Sequence, residues 1–183
     1  MPKAEMLEQV KTLLLEAGAS RAVVIDTAAI DMLNEPGCGS CPELGQNISR
    51  QPTIPPLDVF HRELETYRQA VLFQVRVPVD PDNRNDAFRG ANQVHDMVLD
   101  AEQFCQANGA GVRGIIATCC RLCRPCAGVG SPCRYPERIR SGMGAFGINV
   151  VETCSRVGWP LEFPVRDYVD WTGLVLVRGG GGA

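Results

Sequence analysis

The chain has 183 residues, 45% of them hydrophobic and 21% charged, with a formal net charge of −3. That length suffices to bury a core in one domain, expected over residues 1–178, without a metal to hold it together. No run of about eighteen apolar residues exists, so no membrane span is expected, and the opening through Met6 and Leu7 reads as the start of an amphipathic helix and not as a signal peptide.

Apolar positions Met6, Leu7, Val10, Leu13, Leu14 and Ala17 recur at a 3–4 spacing, which predicts a helix over residues 3–18 ended by Gly18. Ala22-Val23-Val24-Ile25 is a short continuous apolar run and predicts a buried strand. Residues 36–56 carry Pro36, Pro42, Pro52, Pro55 and Pro56 and read as a loop holding Cys38 and Cys41. Its length without regular structure points to function. A helix over Leu57 to Ala70, through Phe60, Leu64 and Tyr67, runs into a strand at Val71–Val77, and Pro78 to Asn83 is a loop.

A longer helix is expected from Asp86 to Ala107, closed by Asn108-Gly109. Gly109 to Gly114 matches G-x-G-x-x-G by letter, but it follows a helix and precedes a strand, the wrong order for a dinucleotide site. It reads as a flexible turn. Gly114–Thr118 is the next strand, and it leads into a cysteine-rich stretch. Beyond that stretch we expect a helical turn from Pro136 to Met143 and a short helix at Asn149–Val157. Two closing strands, Leu161–Val165 and Gly173–Val177, would flank Asp167–Trp171, and residues 179–183 form a glycine-rich tail expected to be disordered. Alternating strands and helices predict an α/β fold with a partly parallel sheet and flanking helices. Both cysteine loops follow predicted strands, which would set two cysteine-rich loops at one end of that sheet.

Five of the nine cysteines fall within fifteen positions, Cys119 to Cys133, and four of them form a C-x2-C-x2-C-x6-C run: Cys120, Cys123, Cys126 and Cys133. Three thiolates at successive intervals of three let one loop wrap a compact inorganic cluster, with the fourth returning from nearby. That is the ligation habit of a [4Fe–4S] cubane; the alternative, zinc, more often takes two C-x2-C pairs across a longer spacer. Cys119 is the spare neighbour, because adjacent side chains diverge. Cys38 and Cys41 are candidate second-site ligands but cannot complete a tetrahedral site alone, and Cys105 and Cys154 read as small buried hydrophobes.

With no export signal, this thiol content fits metal binding in a reducing cytoplasm better than disulfides. His61 and His95 read as helix-surface residues, and no Ser–His–Asp order, HExxH or P-loop is present. From Arg113 to Arg140 six arginines stand against one acid, a net +5, which leaves −8 for the remainder. Such a basic surround offsets the negative charge of a thiolate-ligated cluster and suits a redox partner with an acidic surface. The reading set against this is that the arginines cover a loop and pair with acids elsewhere. Apart from Tyr135 the stretch lacks interleaved aromatics, which argues against nucleic acid.

The block Cys120-Arg121-Leu122-Cys123-x2-Cys126-x6-Cys133-Arg134-Tyr135-Pro136-Glu137-Arg138, with Arg140, Met143 and Gly147-Ile148-Asn149-Val150, resembles a family of small predicted metal-binding proteins, the domain of unknown function 2284. Cys38 and Cys41, Pro55-Pro56, Tyr67 and the run Gly173–Val177 extend the resemblance over residues 36–177. Ile54 stands where that family usually carries a cysteine, and Cys119 stands at a position expected to be proline. The resemblance implies a metal, iron–sulfur in kind, in a cytoplasmic redox setting, and it implies no particular reaction. The function expected from the residues is an accessory iron–sulfur protein transferring single electrons. The alternatives are an enzyme whose cluster keeps one open iron, and a zinc-stabilised interaction module.

Overall fold

The structure is a computed structural model that describes residues 3–37, 44–50, 53–80 and 83–178. Helix α1 spans Lys3–Glu16 and is followed by strand β1, Arg21–Asp26. Helix α2, Leu57–Leu64, precedes strand β2, Gln69–Pro78; helix α3, Phe88–Ala107, precedes strand β3, Gly111–Ile115. Helix α4, Val150–Arg156, and strand β4, Tyr168–Arg178, complete the order. The strands form one sheet in the order β1-β2-β4-β3, and every strand pairing in it is antiparallel.

This corrects the expectation of a partly parallel sheet. The α/β class stands, but helices following strands do not here act as crossovers between parallel neighbours. Strand β4, formed last, inserts between β2 and β3, so both inner contacts run antiparallel. Among the described residues, the one parallel bridge, Ile116 with Gly142, lies outside the strands.

Both faces of the sheet are buried, which explains why β2 reads as an almost unbroken apolar run. Val71, Phe73, Val75 and Val77 face a core made with Met6, Leu7, Val10 and Leu14 of α1 and Val94, Val98 and Ala101 of α3. Ala70 and Leu72 face the other way, onto Phe60, Met143, Phe146, Ile148 and Cys154. α1 ends where Gly18 adopts φ +102 and the Ala19 N–H reaches back to Leu14 O at 2.9 Å, a glycine-terminated cap.

Several boundaries differ from expectation. β1 is an edge strand whose Ala22, Val23 and Val24 are only half-buried. The helix expected over Leu57–Ala70 ends at Leu64. Gly111–Gly114, read as a flexible turn, belongs to β3. A Cβ on Gly114 would sit 2.2 Å from Val98 Cγ1, so glycine there permits α3 to lie close on the sheet. The region after Pro136 makes a single turn, with the Ile139 N–H on Tyr135 O at 3.0 Å, and then a 3-10 helix at Met143–Phe146, in place of a helix to Met143. Leu161–Val165 is not a strand, and Tyr168–Trp171 is part of β4. No helix among the described residues is long and apolar enough to cross a membrane. The glycine-rich tail at 179–183, and Cys38 and Cys41, lie outside the described residues.

Candidate metal centre

The cysteine segment leaves β3 as a loop with a pinned neck. The Ile116 N–H donates to Ser141 O at 3.0 Å and the Met143 N–H donates to Ile116 O at 3.0 Å. Between those points, Cys119, Cys120, Cys123 and Cys126 line a cavity of about 290 Å³, together with Gln46, Asn47, Arg121, Arg124 and Pro125. Cys133 is not on the cavity wall, but it lies close enough to act electrostatically on Cys120. The seven described cysteines are all free thiols. Cys119 is buried at 4% exposure, whereas Cys120, Cys123, Cys126 and Cys133 are half-buried. Cys119 and Cys120 thus both line one cavity, and Cys119 lies beside the site, where a spare thiol was expected.

Cys120 is the best-anchored of the set. Burial pushes its thiol above the ordinary value; backbone N–H groups of Leu122 and Arg140 donate to the sulfur and oppose that shift, and Cys123 and Cys133 add to it. Those two N–H donors are the kind that stabilise a ligating thiolate. Asn47 Nδ2 donates to Cys120 O at 3.0 Å, and the Cys120 N–H donates to Ser49 Oγ at 2.9 Å. At the far end of the run, the Tyr135 N–H points at Cys133 Sγ at 3.4 Å.

The arginines divide into two groups. Arg140 donates from Nε to Glu102 Oε2 at 2.6 Å and from Nη1 to the carbonyls of Glu137 and Ile139. Arg121 lies 3.8 Å above the Phe88 ring centroid, and Arg113 pairs with Glu63 at 3.3 Å. These three are half-buried and committed to holding the loop or the fold. Arg124, Arg134 and Arg138 are exposed, although Arg134 also donates to Pro125 O at 3.0 Å and Arg138 reaches Asp96 at 3.4 Å. Pairing with acids therefore accounts for Arg113, Arg138 and Arg140.

Two buried polar side chains of α3 support this segment and escaped the sequence reading. His95, expected on a helix surface, is 3% exposed and donates from Nε2 to Arg138 O at 2.8 Å. Glu102, 5% exposed, takes the Gly114 N–H at 2.7 Å on Oε1 and Arg140 on Oε2. Both fall on the 3–4 spacing of Ala91, Val94, Val98, Ala101 and Cys105, and that spacing was the available signal. His61 is half-buried, with its Nε2 buried and lacking a hydrogen-bond partner among the described residues.

The route by which both cysteine loops were expected at one end of the sheet does not hold, because β1 and β3 run in opposite directions. The chain after β1 instead doubles back: the Leu33 N–H meets Gly147 O at 2.7 Å and the Gly37 N–H meets Gly144 O at 2.9 Å. Residues 44–50 then reach the cysteine cavity.

Among the described residues, no three His, Cys, Asp or Glu side chains are grouped as for a single metal ion. The thiols instead stand around a cavity, and an all-sulfur donor set with backbone N–H groups on sulfur fits a soft metal or an iron–sulfur cluster. The family described as Predicted metal-binding protein, domain of unknown function 2284, matches residues 23–177, and the chain belongs to it. No curated protein and no solved structure matches the chain.

Proposed function

We propose that Cys120, Cys123, Cys126 and Cys133 hold a [4Fe–4S] cluster and that the protein transfers electrons to or from a redox partner in the reducing cytoplasm. The observation that carries this reading is the wall of Cys120, Cys123 and Cys126 around one cavity of about 290 Å³, with Cys133 in electrostatic range of Cys120. A cubane carries its thiolates on separate iron corners, so it suits ligands spread over a wall. A tetrahedral zinc, with bonds of about 2.3 Å to sulfur, suits ligands that meet at a point. When bound, the cluster supplies one-electron chemistry. The chain's own part is to exclude water through the buried Cys119 side, to aim N–H groups at sulfur, and to present Arg124, Arg134 and Arg138 to an acidic partner surface.

A second reading is favoured by one detail. Cys133 is absent from the cavity wall and Cys119 is present, as expected if three cysteines of the run held the cluster and left one iron open to a substrate.

Anaerobic metal and sulfide analysis tests the proposal. Iron and sulfide in equal amounts, about four of each per chain, with broad visible absorption, are expected. A colourless protein with one zinc per chain would overturn both iron–sulfur readings. Unchanged iron content in Cys133→Ser would select three-cysteine ligation.

A further inference from the structure

We propose that Asn47 and Ser49 are positioning residues of the metal centre, forming a clamp that fixes the Cys120 peptide and so the direction of its thiol. This inference rests on the reading of Cys120 as a metal-ligating thiolate.

Asn47 and Ser49 are 4% and 0% exposed, in a stretch with neither helix nor strand. Burying a carboxamide and a hydroxyl in a loop is costly unless hydrogen bonds compensate. Here the compensation is directed at one residue. Asn47 Oδ1 accepts the Ser49 N–H at 3.0 Å and the Ser49 hydroxyl at 2.9 Å. A backbone N–H can only donate, so Oδ1 must face Ser49, and Nδ2 must face the Cys120 carbonyl at 3.0 Å. The Cys120 N–H closes the circuit on Ser49 Oγ at 2.9 Å.

Both peptide groups of Cys120 are therefore held by side chains some seventy residues earlier in the chain. With both held, Cys120 has little freedom to turn its Cβ away from the cavity. Among the described residues no side chain holds the peptide groups of Cys123 or Cys126 in this way; their placement follows from Cys120 through the short C-x2-C links. Asn47 also lines the cavity itself, so the clamp is one wall of the centre. Groups that orient a metal ligand without touching the metal typically change affinity by about 10–100-fold when removed.

The test uses the full chain prepared anaerobically as wild type, Asn47→Ala, Asn47→Asp and Ser49→Ala. Each is loaded with ferrous iron and sulfide, then challenged with a colour-forming ferrous chelator. Asn47→Ala and Ser49→Ala should release iron about tenfold faster than wild type. Asn47→Asp, which keeps the acceptor for Ser49 but sets a carboxylate oxygen against the Cys120 carbonyl, should release iron at least as fast as Asn47→Ala. The reduction potential and visible circular dichroism of the bound cluster should shift as well, which a purely structural role would not require. The thermal melt of each metal-free variant is measured alongside, and iron release should quicken beyond what any fall in melt accounts for.

Release rates within twofold of wild type with an unmoved potential would overturn the clamp. So would faster release that merely tracks a lowered melt of the metal-free protein. If Asn47→Ala does not fold, Ser49→Ala, which removes a single hydroxyl, carries the same comparison. If wild type takes up zinc in place of iron and sulfide, the cluster reading falls, and the clamp is judged on zinc release by the same variants. A wild type that holds neither metal overturns both.

Discussion

Arg140 is joined to Glu102 by its side chain and to Cys120 by its backbone. Its Nε lies 2.6 Å from Glu102 Oε2, and its backbone N–H acts on the Cys120 thiol against the upward push of burial. Since Glu102 also takes the Gly114 N–H, one buried carboxylate ties helix α3, strand β3 and the return limb of the cysteine loop together. Removing it leaves a largely buried guanidinium without its counter-charge.

Glu102→Ala should therefore destabilise the metal-free protein by about 3 kcal/mol, measured by denaturant unfolding. Arg140→Ala should cost a similar amount, and the double variant less than the two losses added together. Additive losses would show that the pair is not coupled.

The thiols should divide sharply by reactivity. Burial, with a smaller contribution from Glu102, pushes the Cys105 thiol up to about 11, and burial raises that of Cys154. Both are 0% exposed. In native metal-free protein at about pH 8, iodoacetamide should modify Cys123, Cys126 and Cys133 while leaving Cys105 and Cys154 intact until unfolding. Peptide mass mapping reads the pattern, and native alkylation of Cys105 would contradict the packing of α3.

Burial holds the His95 imidazole below its ordinary 6.5; the hydrogen bond to Arg138 O and nearby Asp96 oppose this, and Arg140 and Arg138 add to it. The neutral ring is then the folded form, and at intermediate pH the unfolded chain binds the extra proton. Stability from this group is complete above about pH 6.5 and is lost as pH falls through the lower folded value. Unfolding free energies of wild type should drop between about pH 7 and pH 5 more steeply than those of His95→Gln. Equal slopes would remove His95 from the account.

Phe88 carries the Arg121 guanidinium at 3.8 Å and itself packs on Trp171 at 5.3 Å between ring centroids. Phe88→Ala should cost about 1 kcal/mol in the cation–π contact alone and should make the cysteine loop easier to cut by trypsin. Phe88→Tyr, which keeps a ring face, should restore resistance. Equal cleavage rates in all three proteins would argue against this anchor.

Helices α1 and α3 and the cysteine-rich loop that follows β3 were legible because their signals are local. Met6, Leu7, Val10 and Leu14 carry the period of α1 and are all buried, and the spacing of Cys120, Cys123 and Cys126 suffices to bring them to one cavity. The sheet was less legible because strand order depends on pairing at long range. Asp167–Trp171 was expected to lie between two closing strands, yet Asp170 lies within β4 with a side chain 5% exposed, held by Arg76 at 2.8 Å and Arg21 at 3.5 Å. Two partners on other strands turn an unfavourable strand residue into a buried ion pair, and neither can be read from its neighbours in sequence. Asn47 and Ser49 were missed for the same reason. An Asn-x-Ser stretch marks a local turn, and nothing in it names Cys120.

The strand made last sits in the middle of the sheet. Until Tyr168–Arg178 has emerged from the ribosome, β3 has no neighbouring strand, because β4 separates it from β2. The cysteine segment hangs from β3, so its thiols are synthesised some forty residues ahead of the element that completes their support. A metal delivered during translation meets those thiols on a strand still without a partner, and one delivered afterwards meets a walled cavity. The topology thereby favours insertion of the metal once β4 is in place, and ribosome-bound nascent chains that end before β4 should retain it poorly.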